Sequence, residues 1–205
     1  MPLEGPQYPV NLVVRGHRCL VVGGGRVALG KVQGLLAADA LVTVVAPEVV
    51  GELDHLDGVV VERRAYRPGE VAGYRLVVTA TNDAAVNHRV FLDGEEAGVW
   101  VNSADDPANC SFILPAVVRR GPIMVTVGTS GHSPALATWL RRHIERELDA
   151  SFTTLLDLLA ERRAALRAEG AGTEGLSWQQ VLDGGMLELV REGRIDEARE
   201  RLRCL

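Results

Sequence analysis

The sequence predicts an α/β fold in which a doubly wound parallel sheet is followed by a β-hairpin and then by helices alone. Three observations support this prediction. A glycine turn near residue 23 joins a buried apolar run to a helical stretch, and short apolar runs then alternate with helical patterns over roughly the first 110 residues. From Ser151 onward the apolar residues recur only at helical spacing.

The glycine turn lies within residues 21–28, where the sequence is Val-Val-Gly-Gly-Gly-Arg-Val-Ala. Gly23 lets the chain turn sharply off a strand, Gly25 lets backbone N–H groups approach a phosphate, and Ala28 lets a helix pack closely on the strand. The helix N-terminus supplies unpaired donors and the positive end of a dipole. The segment is typical of a Rossmann-like dinucleotide site, although three glycines after an apolar run can also form a simple tight turn.

The flanking pattern favours the dinucleotide site, because it completes a βαβ unit. A short apolar run at Arg18–Val22 precedes the glycines, helical spacing covers Val27–Ala37, and Leu41–Ala46 is a second strand-like run. An acidic ribose ligand is expected at the end of the second strand, roughly 20 residues beyond the glycines. Here Pro47 ends that strand and Glu48 is the first carboxylate, so backbone around them is expected to contribute ribose contacts.

The charged residues near this unit narrow the choice of nucleotide. No arginine follows the second strand closely, which favours NAD over NADP. Lys31 is the single lysine of the chain, and it lies neither in the Tyr-x-x-x-Lys pair of short-chain dehydrogenases nor in a Walker loop, because Val32 follows it. Its side chain either faces the nucleotide or is solvated on the helix.

Composition excludes several other classes of protein. A net charge of -5 over 205 residues argues against a nucleic-acid-binding protein, which would normally present a basic surface. Cys19, Cys110 and Cys204 are odd in number and far apart, so neither a disulfide framework nor a paired-cysteine zinc site is expected. We expect no secretory signal, no membrane-spanning segment and a cytoplasmic location.

The βα alternation continues beyond the first unit. It predicts, in order, a short helix at Val49–His55, strands at Val59–Arg63 and Leu76–Thr79, a helix at Asp83–Gly98 and a strand at Val99–Asn102. Residues 1–111 are therefore predicted to form the NAD-binding domain. Its ligand crevice should lie beyond the carboxyl ends of the strands, where the loops Gly23–Arg26, Thr79–Asp83 and Asn102–Pro107 are expected to meet.

Residues 112–149 are predicted to form a dimerisation segment made of a hairpin and a helix. Phe112–Val118 and Ile123–Thr129 are apolar and β-branched, with Arg-Arg-Gly-Pro between them. Neither strand has a helix that would extend the parallel sheet, so the hairpin is expected to pack elsewhere, most economically on a second subunit. Ser133-Pro134 then caps a helix with Leu136, Leu140, Ile144 and Leu148 along one face.

Residues 150–205 are predicted to form a small all-α domain with a hinge at Gly170–Gly175. One helix carries an apolar stripe, Ser177 caps a second, and the last is short. The stripes are interpreted as core; their residues are Phe152, Leu155, Leu156 and Leu159 in the first helix and Ile195, Ala198 and Leu202 in the last.

Several separate stretches occur in an order that is more specific than the glycine turn alone. They are Val21–Ala28 with Lys31, Val42–Glu48, Thr79–Asp83 with Asn87, Val101-Asn102 with Asp105–Pro107, Phe112–Ala116, and Ser133-Pro134 with Leu136-Ala137. Together they resemble the family of precorrin-2 dehydrogenases and the dehydrogenase-ferrochelatase module of siroheme synthases, over about positions 9–148. The resemblance implies NAD-dependent oxidation of precorrin-2 to sirohydrochlorin and, in some members, insertion of ferrous iron to give siroheme. It also implies a homodimer with a small helical C-terminal domain.

The resemblance also assigns site residues. Asp105 matches the family's essential aspartate, and a carboxylate beside the nicotinamide could take the proton that must leave when a hydride is removed. Without the family match, Asp-Asp-Pro is more simply a turn, in which neighbouring Asp106 is the turn former. The expected cofactor-binding residues are Gly23, Gly24, Gly25, Arg26, Val27, Pro47, Glu48 and Thr81.

The implied substrate carries many carboxylates, so local cations and hydrogen-bond donors should face it. The predicted substrate-binding residues are Asn109, Ser111, Arg119, Arg120, Thr129 and His132. Arg141 and Arg142 are further candidates on position alone, and a solvated surface role is the alternative for at least half of the four arginines. Ser130 departs from the family pattern, which usually has glycine there.

A binding protein is the alternative function. It would have the same fold and dimer but would sense NADH or a tetrapyrrole without transforming it, because fold does not imply function. Tight binding without turnover would distinguish it from the enzyme.

Overall fold

The computed structural model describes residues 5–104, 106–172 and 175–204. Tertiary contacts divide the chain into two compact units, Met1–Leu114 with Ser130–His132 and Pro115–Thr129 with Ser133–Leu205. The three-part division predicted from the sequence, at residues 111 and 149, remains a prediction. Within the described residues, no helix combines the length and the apolar character needed to cross a membrane.

The first unit contains the predicted doubly wound sheet. Its five strands are parallel and lie in the order β3-β2-β1-β4-β5. The strand order reverses between β1 and β4, which places a crevice beyond their carboxyl ends. In chain order the elements are β1 (Arg18–Val22), α1 (Arg26–Leu36), β2 (Leu41–Ala46), α2 (Gly51–Asp54), β3 (Val59–Arg63), β4 (Leu76–Thr79), α3 (Ala84–Ala97) and β5 (Trp100–Ser103).

Both faces of this sheet are buried along β1, β2, β4 and β5, as their β-branched, almost continuously apolar sequences predict, whereas the edge strand β3 is only partly buried. On one face Val21 and Val44 pack with Ala28 and Val32 of α1, all with no measurable exposure. On the other face the strands pack against α3 through Val90. The alternation of Val21 and its neighbour Val22 between the two cores follows from the two-residue period of a strand.

Helix α3 packs closely on β5 because of a glycine. A Cβ added at Gly94 would overlap the side chain of Val101 and would lie 2.9 Å from the Val99 carbonyl oxygen. The start of the same helix is fixed by Asp83, whose side chain accepts hydrogen bonds from the N–H groups of Ala85 and Val86. The sequence predicted a helix over Asp83–Gly98, and the observed helix begins within one residue of that start.

The second unit begins with the predicted antiparallel hairpin, but its strands are shorter than expected. They are β6 (Ala116–Arg120) and β7 (Ile123–Val127). The expected strand start at Phe112 is wrong. Ser111 N–H donates to the Val101 carbonyl, the Asn102 amide donates to the Phe112 carbonyl, and the Phe112 side chain packs into the core of the first unit.

Helix α4 (Pro134–Glu147) follows the hairpin, with Ser133 as its N-cap and Pro134 in its first turn, as the sequence predicted. The Ser133 hydroxyl accepts a hydrogen bond from the N–H of Leu136 at 3.1 Å. None of the residues of α4 is buried within the chain, although the helix is amphipathic. Leu136 and Trp139 remain 48% and 58% exposed.

The remaining helices form a core of their own. They are α5 (Ala150–Ala168), α6 (Trp178–Val181), α7 (Leu187–Arg191) and α8 (Ile195–Arg203), with a kinked π-helical turn at Leu182–Met186. Leu155, Leu158, Met186 and Leu202 are buried together. Leu158, rather than Leu156, lies on the buried stripe of α5, while Ala198 and Leu202 of α8 are buried as predicted. Ser177 is the N-cap residue of α6, although no side-chain capping bond forms there.

Candidate functional site

The glycine turn between β1 and α1 has the backbone geometry that a dinucleotide site needs. Gly23 has φ +125°, in the region that favours glycine, and its N–H donates to the Val45 carbonyl at 2.9 Å. A Cβ added at Gly25 would meet nothing within 4 Å, so open space lies beside the start of the helix. Ala28 is fully buried against the sheet, which confirms the close helix–strand packing.

The N-terminus of α1 is free to bind an anion. Gly25 is its N-cap residue and provides no side-chain capping bond, and no acidic residue lies in the first turn. The first intrahelical backbone bond runs from the N–H of Leu29 to the Gly25 carbonyl. The preceding amides therefore have no partner within the helix, and together with the helix dipole they fit a pyrophosphate.

Gly24 brings the loop after β2 against the glycine turn. A Cβ at Gly24 would overlap the Glu48 carbonyl oxygen and would lie 2.8 Å from Val49 Cα. The N–H of Val50 also donates to the Gly24 carbonyl at 2.8 Å. Pro47 and Glu48, the residues predicted to contact the ribose, therefore lie beside the glycine turn, and both are exposed. Close packing against Glu48 and Val49 requires glycine at position 24.

Gly23 also contacts the loop after β4. A Cβ there would overlap the Ala80 carbonyl and would lie 3.3 Å from the Thr81 amide nitrogen. The predicted cofactor residue Thr81 thus lies at the same edge of the sheet as the glycines. Its role in binding remains a prediction.

The side chain of Asn87, in helix α3, hydrogen-bonds the loop that contains Thr81. The hydroxyl of Thr81 donates to Asn87 Oδ1 at 2.7 Å, the hydroxyl of Thr79 donates to the same oxygen, and Asn87 Nδ2 donates to the Thr81 carbonyl at 3.1 Å. Thr79 and Asn87 are buried. The sequence had marked Asn87 only as part of a motif, and the structure gives it three hydrogen bonds at the crevice.

The loop after β5 joins the same edge, because the N–H of Ala104 donates to the Thr79 carbonyl at 2.8 Å. The three loops expected at the crevice do lie together. Asp105, the predicted catalytic residue, lies outside the described residues. Asp106 is described, and its carboxylate accepts a hydrogen bond from Asn109 Nδ2 at 2.6 Å.

The Cys110 thiol contacts the backbone on both sides of the loop after β5. Its sulfur accepts from the N–H of Ser103 at 3.1 Å and lies 3.3 Å from the carbonyl oxygens of Ser103 and Asp106. Burial raises the pKa of the Cys110 thiol. The thiol is therefore a structural donor and acceptor at neutral pH, a role that a search for cysteine pairs could not find.

Asn109 and Ser111, two of the predicted substrate ligands, already have partners in the first unit. Asn109 Oδ1 lies 2.7 Å from His88 Nδ1, in addition to the contact with Asp106. The Ser111 hydroxyl donates to Glu95 at 3.2 Å. Their predicted substrate contacts remain predictions. His132, which also belongs to this unit, is exposed.

The other predicted substrate ligands belong to the second unit. Arg120 donates to the carbonyl oxygens of Leu148 and Glu145, at 2.8 and 3.4 Å, and so binds the C-terminal end of α4. The Thr129 hydroxyl donates to the Ser133 carbonyl at 3.1 Å, next to the start of α4. Arg119 is exposed on the hairpin. Across the described ranges, no group of three or more metal-ligating side chains is present.

Comparison with known proteins agrees with this geometry. A family described as "Putative NAD(P)-binding" matches residues 10–116, more than half of the chain. The siroheme synthase of Chromobacterium violaceum is 38% identical over 205 residues, and that of Thioalkalivibrio sulfidiphilus is 39% identical over 200. These alignments cover 95% of this chain but only 42% and 41% of the relatives, so the chain spans about two fifths of their length.

A solved structure agrees over nearly its whole length. The protein named "SirC, precorrin-2 dehydrogenase" superposes with a TM-score of 0.75 at 28% sequence identity, over 96% of this chain and 98% of that chain. The likeness therefore extends through both units. On the family match over residues 10–116, with the glycine turn and free helix N-terminus that it contains, this chain belongs to the NAD(P)-binding family.

Proposed function

We propose that this protein oxidises precorrin-2 to sirohydrochlorin with NAD as the oxidant. The observation that carries the proposal is the open glycine turn at the uncapped N-terminus of α1, in a chain that superposes on 98% of SirC, precorrin-2 dehydrogenase. The β2 loop beyond Pro47 offers one carboxylate, Glu48, and no arginine closely follows it in sequence. Arg63 and Arg64 lie beside the end of β2, but both form ion pairs, with Asp54 and with Glu62 and Glu70, and this favours NAD over NADP.

Different residues of the chain take different roles in the proposed reaction. Bound NAD would supply the hydride acceptor. The first-turn amides of α1 hold the pyrophosphate, and Glu48 and Thr81 approach the rest of the nucleotide from the neighbouring loops. When the macrocycle loses a hydride from carbon, a proton must also leave, and Asp105 accepts it. Arginines and donors, with Arg119 foremost among them, pair with the substrate carboxylates.

The test is a turnover assay with purified protein, precorrin-2 and NAD. The expected result is equimolar NADH and sirohydrochlorin. Asp105→Asn should keep its NAD affinity and lose turnover by about 100-fold or more, because the proton acceptor is gone. Asp106→Asn is the matched control, and it should stay within about tenfold of the parent since the neighbouring carboxylate only shapes the turn. Tight NAD and tetrapyrrole binding with no turnover in the parent would favour the sensing alternative.

A second activity, insertion of ferrous iron into sirohydrochlorin, is favoured by the relatives named siroheme synthase. Iron is a substrate in this reaction, so the protein needs a pocket and a base for the two pyrrole protons rather than a closed set of ligands. Anaerobic assay of sirohydrochlorin with ferrous or cobaltous ion, without NAD, tests this proposal. An insertion rate equal to the protein-free background would exclude the activity.

We also propose that the protein is a homodimer in the cytoplasm. Support for the dimer comes from the amphipathic helix α4, which buries none of its residues within the chain and exposes Leu136 and Trp139. Support for a reducing compartment comes from the cysteines, since Cys19, Cys110 and Cys204 are all free thiols.

A further inference from the structure

A cationic hollow lies at the amino ends of the strands in the first unit. It is an open surface depression of about 490 Å³ lined by three turns, Gly16–Arg18 before β1, Gly73–Arg75 before β4, and Gly98 after α3. Arg18 and Arg75 stand at the same edge because Arg75 N–H donates to the Arg18 carbonyl at 2.8 Å. Arg18 and Arg75 thus line the same small hollow.

Both arginines are positioned by rings rather than by carboxylates. The Arg18 Cζ lies 4.5 Å from the centroid of the Tyr74 ring, so one face of its guanidinium is covered. Arg75 Nη2 lies 3.4 Å from Nδ1 and 3.3 Å from Nε2 of His17, so the imidazole contacts Arg75 through that one guanidinium nitrogen. Such contacts orient a guanidinium while leaving most of its N–H donors unused.

Neither of these two arginines has a carboxylate partner among the described residues. Four of the six other arginines in the described part of this unit form ion pairs, and Arg26 and Arg67 are the other two for which no ion pair is found there. The paired ones are Arg15 with Asp39, Arg63 with Asp54, Arg64 with Glu62 and Glu70, and Arg89 with Asp93. In a chain of net charge -5, two adjacent cations without carboxylates leave a local positive potential.

The walls of the hollow carry few side chains. Gly16, Gly73 and Gly98 have φ of +70°, +86° and +65°, so the three turns require glycine. The absence of side chains there leaves the guanidinium groups accessible from solvent. The hollow can therefore admit a small ligand between the two arginines.

This hollow is separate from the dinucleotide site. Arg18 is the first residue of β1, and Gly23 directly follows its last residue. At a rise of about 3.3 Å per residue, the two lie roughly 16 Å apart, at opposite edges of the sheet. A molecule held by the glycine turn at one edge leaves the hollow open at the other.

We propose that this hollow is a second binding site, selective for a small tetrahedral oxyanion of the phosphate class. Two guanidinium groups provide the forked N–H donors that phosphate oxygens accept, and a dianion would neutralise both charges. The site goes beyond the proposed oxidation, since it uses none of the residues assigned to NAD or to the tetrapyrrole. Its occupation or loss is therefore independent of whether the protein turns over precorrin-2.

Isothermal titration calorimetry with inorganic phosphate tests the proposal. The 205-residue chain is held in chloride buffer with saturating NAD, so that the glycine turn is already occupied. The expected result is saturable binding of one phosphate per chain. Arg18→Gln and Arg75→Gln should each weaken it by about tenfold or more, because each removes a charge-assisted donor set. Arg63→Gln is the matched control, since it removes the same charge from a pair with Asp54.

A second measurement locates the ligand. In ¹H–¹⁵N NMR spectra, phosphate should shift the amide signals of Gly16 and Gly73 and the Nε–H signals of Arg18 and Arg75, while the Gly25 amide stays unchanged in the presence of NAD. Equal weakening by Arg63→Gln, non-saturable binding, or shifts confined to Gly25 would each overturn the proposal. Thermal unfolding of each variant in phosphate-free buffer confirms that the fold is intact before binding is compared.

Discussion

At the scale of single residues, hydrogen bonds from side chains beneath the surface shape the candidate crevice. Asn87, which is buried, and Cys110, which is partly buried, are two examples. Asn87 accepts hydroxyl protons from Thr79 and Thr81, while Cys110 bonds the backbone on both sides of the loop after β5. A buried donor or acceptor that loses its partner keeps its full desolvation cost, so these contacts constrain the loops tightly.

Asn87→Leu should destabilise the protein and weaken NAD binding together. The variant leaves the buried Thr79 hydroxyl without its acceptor and removes the Thr81 hydroxyl and carbonyl contacts, so that the Thr81 hydroxyl keeps only the Asp83 carbonyl; we expect a cost of about 2 kcal/mol in the free energy of unfolding. Loss of the Thr81 anchor should also raise the NAD dissociation constant. Urea unfolding and NAD titration measure the two effects. Gln33→Leu removes an amide from an exposed position of α1 and should change neither the stability nor the NAD affinity. If Asn87→Leu behaves like this control, the Asn87 hydrogen bonds do not stabilise the loop.

Alkylation of the cysteines should follow their surroundings. Cys204 is exposed, whereas Cys19 is buried and Cys110 is partly buried. Burial raises the pKa of both the Cys19 and the Cys110 thiol, so the thiolate of each forms only above the ordinary cysteine range. At pH 8, mass spectrometry after iodoacetamide treatment should find Cys204 labelled first, and Cys110 labelling should increase as the pH is raised further. Labelling of Cys110 as early as Cys204 at pH 8 would contradict the hydrogen bonds that hold the Cys110 thiol within the loop.

At the scale of elements, the carboxylate of Asp93 on helix α3 holds the segment between β3 and β4 against that helix. Asp93 is buried on α3 and accepts hydrogen bonds from the Tyr66 hydroxyl and the Gly69 N–H, each at 2.7 Å. Arg89, one turn earlier, forms an ion pair with it at 2.8 Å. Burial alone would raise the pKa of Asp93, but the Gly69 and Tyr66 hydrogen bonds and the Arg89 charge together lower it.

Asp93→Asn should therefore destabilise the protein in a pH-dependent way. Because the folded pKa of Asp93 is depressed, its stabilising effect is complete above the unfolded value of about 3.9 and is lost as the pH falls through the folded value. The variant should lose about 2 kcal/mol at pH 7, where charged hydrogen bonds are intact. The gap to the parent should shrink below about pH 4. Urea unfolding from pH 7 to pH 3 measures this, and a constant gap would contradict the assigned cause.

At the scale of the whole molecule, the exposed apolar side of α4 bears on the oligomeric state. The helix is firmly capped and amphipathic, yet Leu136 and Trp139 remain exposed in the single chain. Exposed apolar patches on a regular helix mark interaction surfaces, and the proposed second copy of this chain would cover them.

Trp139→Arg should shift the protein towards monomer. Light scattering after size-exclusion chromatography is expected to give twice the chain mass for the parent at micromolar concentration and a lower mass for the variant, because a charge replaces a buried aromatic contact. Val60→Arg changes an equally exposed apolar residue on the edge strand β3 and serves as the control. A parent protein that runs as a monomer would remove the dimer from the proposal.

Much of the fold could be predicted from local patterns because its strands and caps are encoded over short stretches. The strands Arg18–Val22, Leu41–Ala46 and Leu76–Thr79 have the predicted bounds, the Ser133 cap lies where expected, and α3 begins within one residue of the predicted Asp83. The hairpin start was missed because Phe112 is as apolar as a strand residue but packs into the sheet core instead. Ser130, singled out in the sequence because the resemblance implies glycine there, adopts φ +50°, in the region that favours glycine.

The sequence by itself determined the parallel sheet, the glycine turn and the family, since apolar period, turn chemistry and motif order are local properties of a chain. Tertiary structure decided which residues meet at the crevice. Gly24 is held by the Glu48 carbonyl, Thr81 by Asn87, and the β5 loop by Cys110, and each partner is distant in sequence. It also decided that Arg18 and Arg75 share one hollow without a carboxylate among the described residues, because only strand pairing sets β1 beside β4.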